Sequence, residues 1–427
     1  MSASLAILPL ANASGDPDKD YFADGLTECL HSALVGVRAL RVASRGASAG
    51  RHGQVARADL GRALDVAAVL EGSVTRLGGQ LRLSASLHAA ADGATYWSVQ
   101  MDEKLDDLYP VLHRLGDRIL TTLGAAPTPQ ERQALEYVPT REPRALDPYL
   151  RARHLSGQIR RSSQDLAVQL YGDGAQADPA FALAHAGLAE SHALLFTYWD
   201  SSEEHLRTAD AASERAVALA PVLAETHLAR GLALSLNRRH DAAEAKFLAA
   251  LDLKPNLFEA HYHYARHCNT TGRLEESVRW FESAGRLRPE DYATPALLAS
   301  VYVSLQRTAD ADAAQRRAVE LAERRLKQVP DDERALYLGA GCLSSLGDRG
   351  RAREWAKRAV AMEPDDSAVL YNVACVYALL GLVDSAIDCL ERSLANGFGH
   401  WEWIEHDSDL DGLRDHPRFL TLLQQKR

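Results

Sequence analysis

Three histidines in one segment are the first candidates for metal chemistry. His261, His263 and His267 fall within a single predicted helix, and the last two are four residues apart on a common face. Imidazoles at this spacing can bind zinc when a third ligand lies nearby. No glutamate follows the first histidine, as the helix of a zinc metalloprotease requires. The pattern therefore favours packing histidines over a metal site.

An acidic motif near the C-terminus is the second candidate, Asp407-Ser-Asp-Leu-Asp-Gly412. Carboxylates at alternate positions followed by glycine match the first six positions of an EF-hand calcium loop. The twelfth position, which needs a bidentate glutamate, is Arg418, and Pro417 precedes it. Because a cation would meet positive charge where it needs two oxygens, the motif favours a turn in a C-terminal cap over a calcium site.

Glycine-rich and aspartate-rich segments could also suggest chemistry. Residues 45–50, 72–73 and 78–79 match neither a phosphate-binding loop nor a dinucleotide fingerprint, and we interpret them as turns. Asp16 precedes a proline, as in turns, and Asp18 or Asp20 is placed to favour a helix N-terminus. No nucleophile elbow, HExxH helix or kinase motif set occurs. The sequence thus predicts no catalytic residue, no metal and no cofactor, and we do not expect an enzyme.

Composition excludes several classes of protein. The 427 residues are 46% hydrophobic and 25% charged, which is typical of a globular protein with two or three folding units. The net charge of −10 argues against nucleic-acid binding, and no apolar run is long enough to span a membrane. The five cysteines form no CxxC pair, so we expect reduced, buried thiols in a cytoplasmic protein. Met1 lies close to the first predicted strand, which leaves open that the sequence is part of a longer protein.

A repeat dominates the C-terminal two thirds of the chain. Prolines at 179, 221, 255, 289, 330 and 364 each follow a helical segment, at intervals of 42, 34, 34, 41 and 34 residues. If each proline is repeat position 32, small residues recur at positions 8, 20 and 27, where helices approach closely. Examples are Gly231 and Ala374 at position 8, and Ala243 and Ala386 at position 20. The recurrence predicts stacked helix pairs.

This pattern resembles the tetratricopeptide repeat, a pair of antiparallel helices with a 34-residue period. The resemblance covers residues 146–395 as about seven helix pairs, an all-α solenoid. The 42-residue interval has eight additional residues around Phe196-Thr-Tyr-Trp-Asp-Ser-Ser-Glu203 between the two helices of one pair. The 41-residue interval predicts a second helix lengthened by two turns, from Ala311 to Gln328.

The first 125 residues show strand alternation instead. We predict strands at 4–11, 40–44, 69–76, 80–88 and 95–101, and helices at 21–37, 58–64 and 107–123, an α/β domain with the order βαβαβββα. Residues Ala6–Pro17, Tyr21–Leu26 and Val69–Val74 resemble the TolB-like domain. In that family the domain occurs with tetratricopeptide repeats behind adenylate cyclase, kinase or transcription-regulator domains. Residues 126–145 are predicted to be a linker with a helix at 129–137, and residues 396–427 a cap containing Trp401, Trp403, Ile404, Leu410, Leu413 and Phe419.

The resemblance also implies a concave groove lined by positions 2, 5, 9, 12 and 13 of each first helix. We therefore predict a surface for a partner protein or peptide. Its residues are Glu225, Leu228, Glu259, Tyr262, Arg266, Asn269, Arg334, Tyr337 and Tyr371, with Tyr149 and Ala368 at equivalent positions. The tyrosines could equally brace adjacent repeats. The lysine and asparagine clamp of chaperone-binding repeats is absent, so chaperone tails are not the expected ligand.

Three functional hypotheses follow from the sequence. The first is a non-catalytic interaction scaffold that binds a peptide or partner protein in the groove. The second is the regulatory part of a bacterial signalling protein, such as an adenylate cyclase, whose effector domain lies upstream or on another chain. The third is a catalytic or ligand-binding role for the N-terminal domain. Homo-oligomerisation stays open.

Overall fold

The computed structural model describes residues 3–49 and 57–424, so Gly50 of the first glycine-rich segment lies outside the described residues. The described chain divides into two compact units. Unit 1 comprises residues 3–49, 57–191, 208–263 and 286–289, and unit 2 comprises residues 192–207, 264–285 and 290–424. Because the boundary crosses four helices, each unit takes up part of the helical region.

Unit 1 contains a six-stranded mixed sheet. Its strands are β1 Ala3–Ile7, β2 Ala11–Asn12, β3 Leu40–Val42, β4 Ala68–Leu77, β5 Gln80–Ala89 and β6 Thr95–Lys104. β1 lies between β3 and β4 and is parallel to both, whereas β4, β5 and β6 form an antiparallel meander. β2 pairs in parallel with β4. The single strand predicted at 4–11 is interrupted after Ile7, because Pro9 has no N–H to donate to a neighbouring strand.

Five helices accompany the sheet: α1 Asp20–Val35, α2 Arg45–Ala49, α3 Arg57–Leu64, α4 Leu108–Leu123 and α5 Pro129–Leu135. The order of strands and helices along the chain agrees with the prediction, except that β2 and α2 were not predicted. Asp16 caps a short 3-10 helix, Pro17–Lys19, that leads into α1, as its turn chemistry predicted. A complete capping box, formed by Thr128 and Glu131, begins α5 in the predicted linker.

Two of the three glycine-rich turn predictions are wrong. Gly72 and Ser73 lie within β4, where a Cβ at Gly72 would stand 2.2 Å from the carbonyl oxygen of Ser84 in β5. Glycine is needed there because two backbones approach closely, not because the chain turns. Residues 45–49 form α2. Gly78 and Gly79 do form the tight β4–β5 turn, and Gly78 has a φ of +59°.

The rest of the chain is helical. Between residues 143 and 395 the helices are α6 Pro143–Ser156, α7 Arg161–Ala177, α8 Ala182–Tyr198, α9 Glu203–Leu219, α10 Ala224–Leu236, α11 His240–Leu253, α12 Phe258–Thr270, α13 Leu274–Leu287, α14 Ala293–Ser304, α15 Thr308–Gln328, α16 Glu333–Ser345, α17 Arg349–Met362, α18 Ser367–Leu379 and α19 Val383–Ala395. The 21-residue α15 is the predicted lengthened helix. The additional residues of the 42-residue interval lengthen both helices of the pair, since α8 and α9 each have 17 residues.

Paired helices approach each other closely at small residues, as the repeat pattern predicted. In unit 1 a Cβ at Gly231 of α10 would lie 2.9 Å from the ring of Phe247 in α11. In unit 2, one residue before a predicted position, a Cβ at Gly339 of α16 would lie 2.4 Å from Trp355 in α17. The missing side chain in each case lets an aromatic ring fill the space between paired helices.

The chain ends with α20 Trp401–His406, a 3-10 helix Ser408–Leu413 and α21 Pro417–Leu423, all in unit 2. Four of the predicted capping residues, Ile404, Leu410, Leu413 and Phe419, are fully buried in a core shared with α16 to α19. Trp403 is 39% exposed, so it covers that core only partly. Within the described residues, no helix combines the length and the apolar character that crossing a membrane requires.

Candidate functional site

The nine predicted groove residues fall into two groups, one in each unit. We call Glu225, Leu228, Glu259 and Tyr262 of unit 1 the first inner face, and Arg266, Asn269, Arg334, Tyr337 and Tyr371 of unit 2 the second inner face. Each group lies on first helices of the repeat pairs, namely α10, α12, α16 and α18. The two faces differ in the residues that cover them.

Helix α1 contributes polar contacts to the first inner face. The hydroxyl of Ser32 in α1 donates a hydrogen bond of 2.7 Å to Oε1 of Glu225. The ammonium of Lys254 donates to the same carboxylate oxygen and, at 3.2 Å, to Ser32. Burial raises the pKa of Glu225, but Lys254 and these hydrogen bonds outweigh it, so the pKa is lowered overall. Glu225 is therefore an ionised carboxylate with partners inside its own unit.

Ion pairs also hold α1 against α6. Arg153 of α6 donates to Glu28 at 2.8 Å, and His154 lies 3.0 Å from Asp24. Burial opposes ionisation of Glu28, but the positive charges of Arg153, His31 and Arg45 lower its pKa to about 2. Gly25 allows the close approach, because a Cβ there would lie 2.9 Å from Leu150 of α6. The predicted α/β part and the first helix pair are thus packed together.

The remaining residues of the first inner face are buried or ion-paired. Leu228 is 3% exposed and Tyr262 is 7% exposed. Tyr262 stacks on Phe258 with ring centroids 5.6 Å apart, and the guanidinium of Arg288 lies 3.8 Å from the centroid of Phe258. Arg288 also donates to Glu259 at 2.6 Å. The stacking of Tyr262 on Phe258 lies within α12, so it does not decide between a binding surface and the bracing of neighbouring helices.

The end of α8 lies on the second inner face. Arg266 donates a 2.6 Å hydrogen bond to the hydroxyl of Tyr198, and the guanidinium groups of Arg266 and Arg334 lie 5.4 and 5.8 Å from the Tyr198 ring. Burial raises the pKa of the phenol, but the two positive charges outweigh it and lower the pKa overall. Arg266 and Arg334 of the second inner face therefore both contact the ring of Tyr198, which belongs to the same unit.

Trp199, directly after α8, is buried and makes side-chain and main-chain hydrogen bonds to the start of α18. Its indole N–H donates a hydrogen bond of 2.8 Å to Oδ2 of Asp366. The other oxygen of this aspartate, Oδ1, caps α18. The carbonyl of Trp199 accepts a hydrogen bond from Ser367, and the carbonyl of Phe196 accepts one of 2.8 Å from His400. Trp199 is 4% exposed. The segment 196–199 is thus held by its main chain as well as by its rings.

The other tyrosines of the second inner face are also covered. Tyr337 is 7% exposed, and Tyr371, at 4%, stacks on Phe398 with centroids 4.4 Å apart. The hydroxyl of Tyr371 donates a hydrogen bond of 2.6 Å to Oδ2 of Asp407. Asn269, in contrast, is exposed. Sequence reasoning missed Ser32, Lys254 and Asp366 and noted Tyr198 and Trp199 only as part of an insertion.

The candidate metal ligands have other roles. The Nε2 atom of His261 donates a hydrogen bond of 2.7 Å to the carbonyl oxygen of Pro255. In the acidic motif that was interpreted as a turn of the cap, Asp407 caps the 3-10 helix, and Arg418 pairs with Glu391 at 2.7 Å. Among the described residues, one group has donor atoms within 4.8 Å of one another, formed by Cys375, Asp407 and Asp409. Burial raises the pKa of the Cys375 thiol well above its usual value, which disfavours the thiolate that would bind a metal.

The cysteines form no disulfide among the described residues. All five lie in the described part of the chain and are free thiols, four of them buried. Burial agrees with the expectation for four of them, whereas Cys29 is half-buried.

Comparisons with known proteins give one family match, one similar sequence and several similar structures. Residues 296–325, which belong to α14 and α15, match the family model described as "Tetratricopeptide repeat". Over 244 residues, 56% of this chain, the sequence is 31% identical to "Putative adenylate cyclase 3" of Rhizobium meliloti (strain 1021). The match covers 42% of that protein, so the chain spans less than half the length of this relative.

Solved structures similar to this chain include "YrrB: a TPR protein with an unusual peptide-binding site", at 19% identity and a TM-score of 0.30 over 50% of this chain and 97% of that one. Another is the "APC/C hetero-tetramer Cut9-Hcn1", at 14% identity and a TM-score of 0.43 over 74% and 52% of the two chains. The TolB-like resemblance of the N-terminal part stays a prediction. The helical part of this chain contains a tetratricopeptide repeat.

Proposed function

We propose that this chain is a non-catalytic, cytoplasmic scaffold for protein–protein interaction, and that its second inner face binds an aromatic segment of a partner protein. The observation that carries the proposal is the seating of Tyr198 and Trp199 on Arg266, Arg334 and Asp366. Each ring places its apolar body against the face and its polar atom on a charged partner. A partner segment with the same chemistry would satisfy the same groups.

Exchange is the mechanism that this arrangement suggests. A segment of the same chain competes at an effective concentration of about millimolar, so a free peptide binds weakly while Tyr198 and Trp199 are in place. The end of a helix can detach locally at a cost below that of global unfolding. A partner with sufficient affinity for the vacated face would then hold the chain in the exchanged state.

Removal of the resident rings tests the proposal. The probe is a labelled synthetic peptide with the sequence of residues 192–203, and its binding is measured by fluorescence anisotropy. We expect the variant Tyr198→Ala/Trp199→Ala to bind the peptide at least about 10-fold more tightly than the wild type, because internal competition is lost. A peptide with alanine in place of Tyr198 and Trp199 should bind neither protein.

A matched control replaces two exposed apolar residues of unit 1, Leu77→Ala/Tyr96→Ala, and should leave peptide affinity unchanged. Circular dichroism verifies folding, and Trp199→Phe serves as a second variant because it keeps the ring but removes the indole N–H. Equal peptide affinity for the wild type and a folded Tyr198→Ala/Trp199→Ala variant would contradict the proposal.

A second candidate function is supported by the bacterial relative. We propose, as the alternative, that the chain is the regulatory portion of a signalling protein, because its match covers 42% of a protein named as an adenylate cyclase. Sequencing of the genomic region upstream of the codon for Met1 tests this alternative. A cyclase, kinase or transcription-regulator domain in frame or in the same operon supports it, and unrelated neighbouring genes count against it.

A further inference from the structure

Unit 1 contains a cavity of about 90 Å³ beside the first inner face. Its wall is mainly apolar and is formed by α1, α4 and α5 on one side and by helices of the first repeat pairs on the other. The apolar lining includes Leu30, Leu34, Leu112, Leu135, Leu183 and Leu223. Since a buried water occupies about 10–15 Å³ on this measure, the space could hold about six waters or one compact organic molecule.

Two polar atoms at this cavity have no hydrogen-bond partner among the residues that the structure describes. The hydroxyl oxygen of Tyr109 and Oε2 of Glu225 are both buried and unpaired, and both residues line the cavity. Tyr109 is only 6% exposed, and beside its hydroxyl lies the thiol of Cys29, a weak partner at best. Buried polar atoms are normally paired, so these two indicate a missing hydrogen-bonding group.

The charged residues around the cavity already balance one another. Glu225 is paired with Lys254, and Arg153 with Glu28. Asp117 and Glu136 both pair with Arg132, at 3.0 and 3.7 Å. An ionic ligand would therefore bring an uncompensated charge into a buried site, which is costly. A neutral ligand with a hydrogen-bond donor fits both the charge balance and the unpaired carboxylate oxygen.

We propose that this cavity is a binding site for a small, neutral, largely apolar molecule that carries one hydroxyl group. The hydroxyl donates to Oε2 of Glu225 and accepts from Tyr109, while the hydrocarbon part packs on the leucines. Because α1 and the first repeat pairs both contribute to the wall, the occupied site ties the sheet part of unit 1 to its repeat helices. The site makes the unit a receptor for a small molecule, a role separate from partner binding at the second inner face.

Phenol is the probe, and its binding is measured by isothermal titration and by ligand-observed NMR. We expect a dissociation constant of about 0.1–5 mM for a ligand of this size. Toluene, which has the same ring without the hydroxyl, should bind at least about 10-fold more weakly, because it leaves both polar atoms unpaired. Benzoate should not bind measurably.

A cavity-filling variant locates the site. Gly116 of α4 lines the cavity, and a Cβ there would have one neighbour within 4 Å, Leu34 at 3.7 Å. Gly116→Leu should abolish phenol binding and, because leucine favours a helix, should not lower the melting temperature. The matched control is Gly157→Leu, at an exposed glycine with a φ of −67° and no atom within 4 Å of its Cβ.

Phenol binding by the wild type and Gly157→Leu, with at least about 10-fold loss in Gly116→Leu, supports the proposal. If Gly116→Leu is unstable, Glu225→Gln tests the same site, because it should weaken phenol relative to toluene. No phenol binding by the wild type, or equal binding by a folded Gly116→Leu variant, would overturn the site.

Discussion

The two inner faces are covered by different chemistry. In unit 1, the hydroxyl of Ser32 in α1 meets a carboxylate and a lysine of the repeat helices, and further ion pairs join α1 to α6. In unit 2 the cover is aromatic, with Tyr198 beside two arginines and Trp199 bonded to Asp366. The buried carboxylate of Glu225 accepts hydrogen bonds from Ser32 of α1 and from Lys254, so replacing α1 would require another polar group at the same place. Aromatic rings can be replaced by other rings, so the second cover is the better candidate for exchange with a partner.

The largest expected effect concerns the aromatic cover. Trp199→Ala should reduce the free energy of unfolding by about 4 kcal/mol, because it removes a nearly fully buried indole and leaves Oδ2 of Asp366 without its indole partner. Urea unfolding followed by circular dichroism measures the change. Trp403→Ala, at a tryptophan that is 39% exposed in the same unit, should cost much less. Similar losses for both variants would mean that Trp199 is not a principal anchor.

The next effect concerns the charged cover. Lys254→Ala should reduce stability by about 3 kcal/mol, because Glu225 would keep a buried charge without its ammonium partner. The double variant Lys254→Met/Glu225→Leu should recover most of this loss, since it removes both charges. Urea unfolding of the three proteins tests the comparison directly. A double variant as unstable as Lys254→Ala would indicate that lost packing of the Lys254 side chain, rather than an unpaired charge on Glu225, causes the loss of stability.

A pH effect should distinguish unit 1 further. Burial raises the pKa of Glu190 to about 7, with Glu259 and Glu225 adding to the effect and Arg153 opposing it. The folded state therefore binds more protons than the unfolded state, and stability falls as the pH rises from about 4.5 through 7. Glu190→Gln should stabilise the protein by about 2 kcal/mol at pH 8 and by little at pH 4. Thermal melts at both pH values, with the exposed Glu214→Gln as control, measure the difference; a pH-independent shift would contradict the assignment.

The smallest effect lies at the edge of the second inner face. Tyr371→Phe should cost about 1 kcal/mol, because it removes the hydrogen bond to Asp407 and keeps the stacking on Phe398. Tyr371→Ala, which removes both, should cost several times more. If the two variants are equally stable, the ring contributes little and the hydroxyl is the important group.

The sequence predicted the repeats because their periodicity is a local property. Prolines after each pair, small residues such as Gly231, and the lengthened α15 each depend on neighbours within about one repeat. The same holds for the strand alternation and the tight turn at Gly78. Gly72 was misinterpreted because glycine serves both in turns and where strands approach closely, and only the neighbouring strand distinguishes the two uses.

The covers of the inner faces could not be predicted in this way. Ser32 and Glu225 are 193 residues apart, and Trp199 and Asp366 are 167 apart, so no period connects them. The 42-residue interval marked the segment around Tyr198 as unusual but did not indicate what it touches. Glu225 was placed on an inner position from its repeat number, yet only its tertiary neighbours determine its charge and partners.

Because Trp199 is hydrogen-bonded to Asp366, its fluorescence should report whether the ring occupies its site on α18. A buried indole beside a carboxylate emits differently from one in water, so departure of this ring from α18 would shift tryptophan fluorescence to longer wavelength. Because the same aspartate caps α18, that shift would be accompanied by fraying of the first turn of the helix. Displacement by a partner could therefore be followed in real time without any label on this chain.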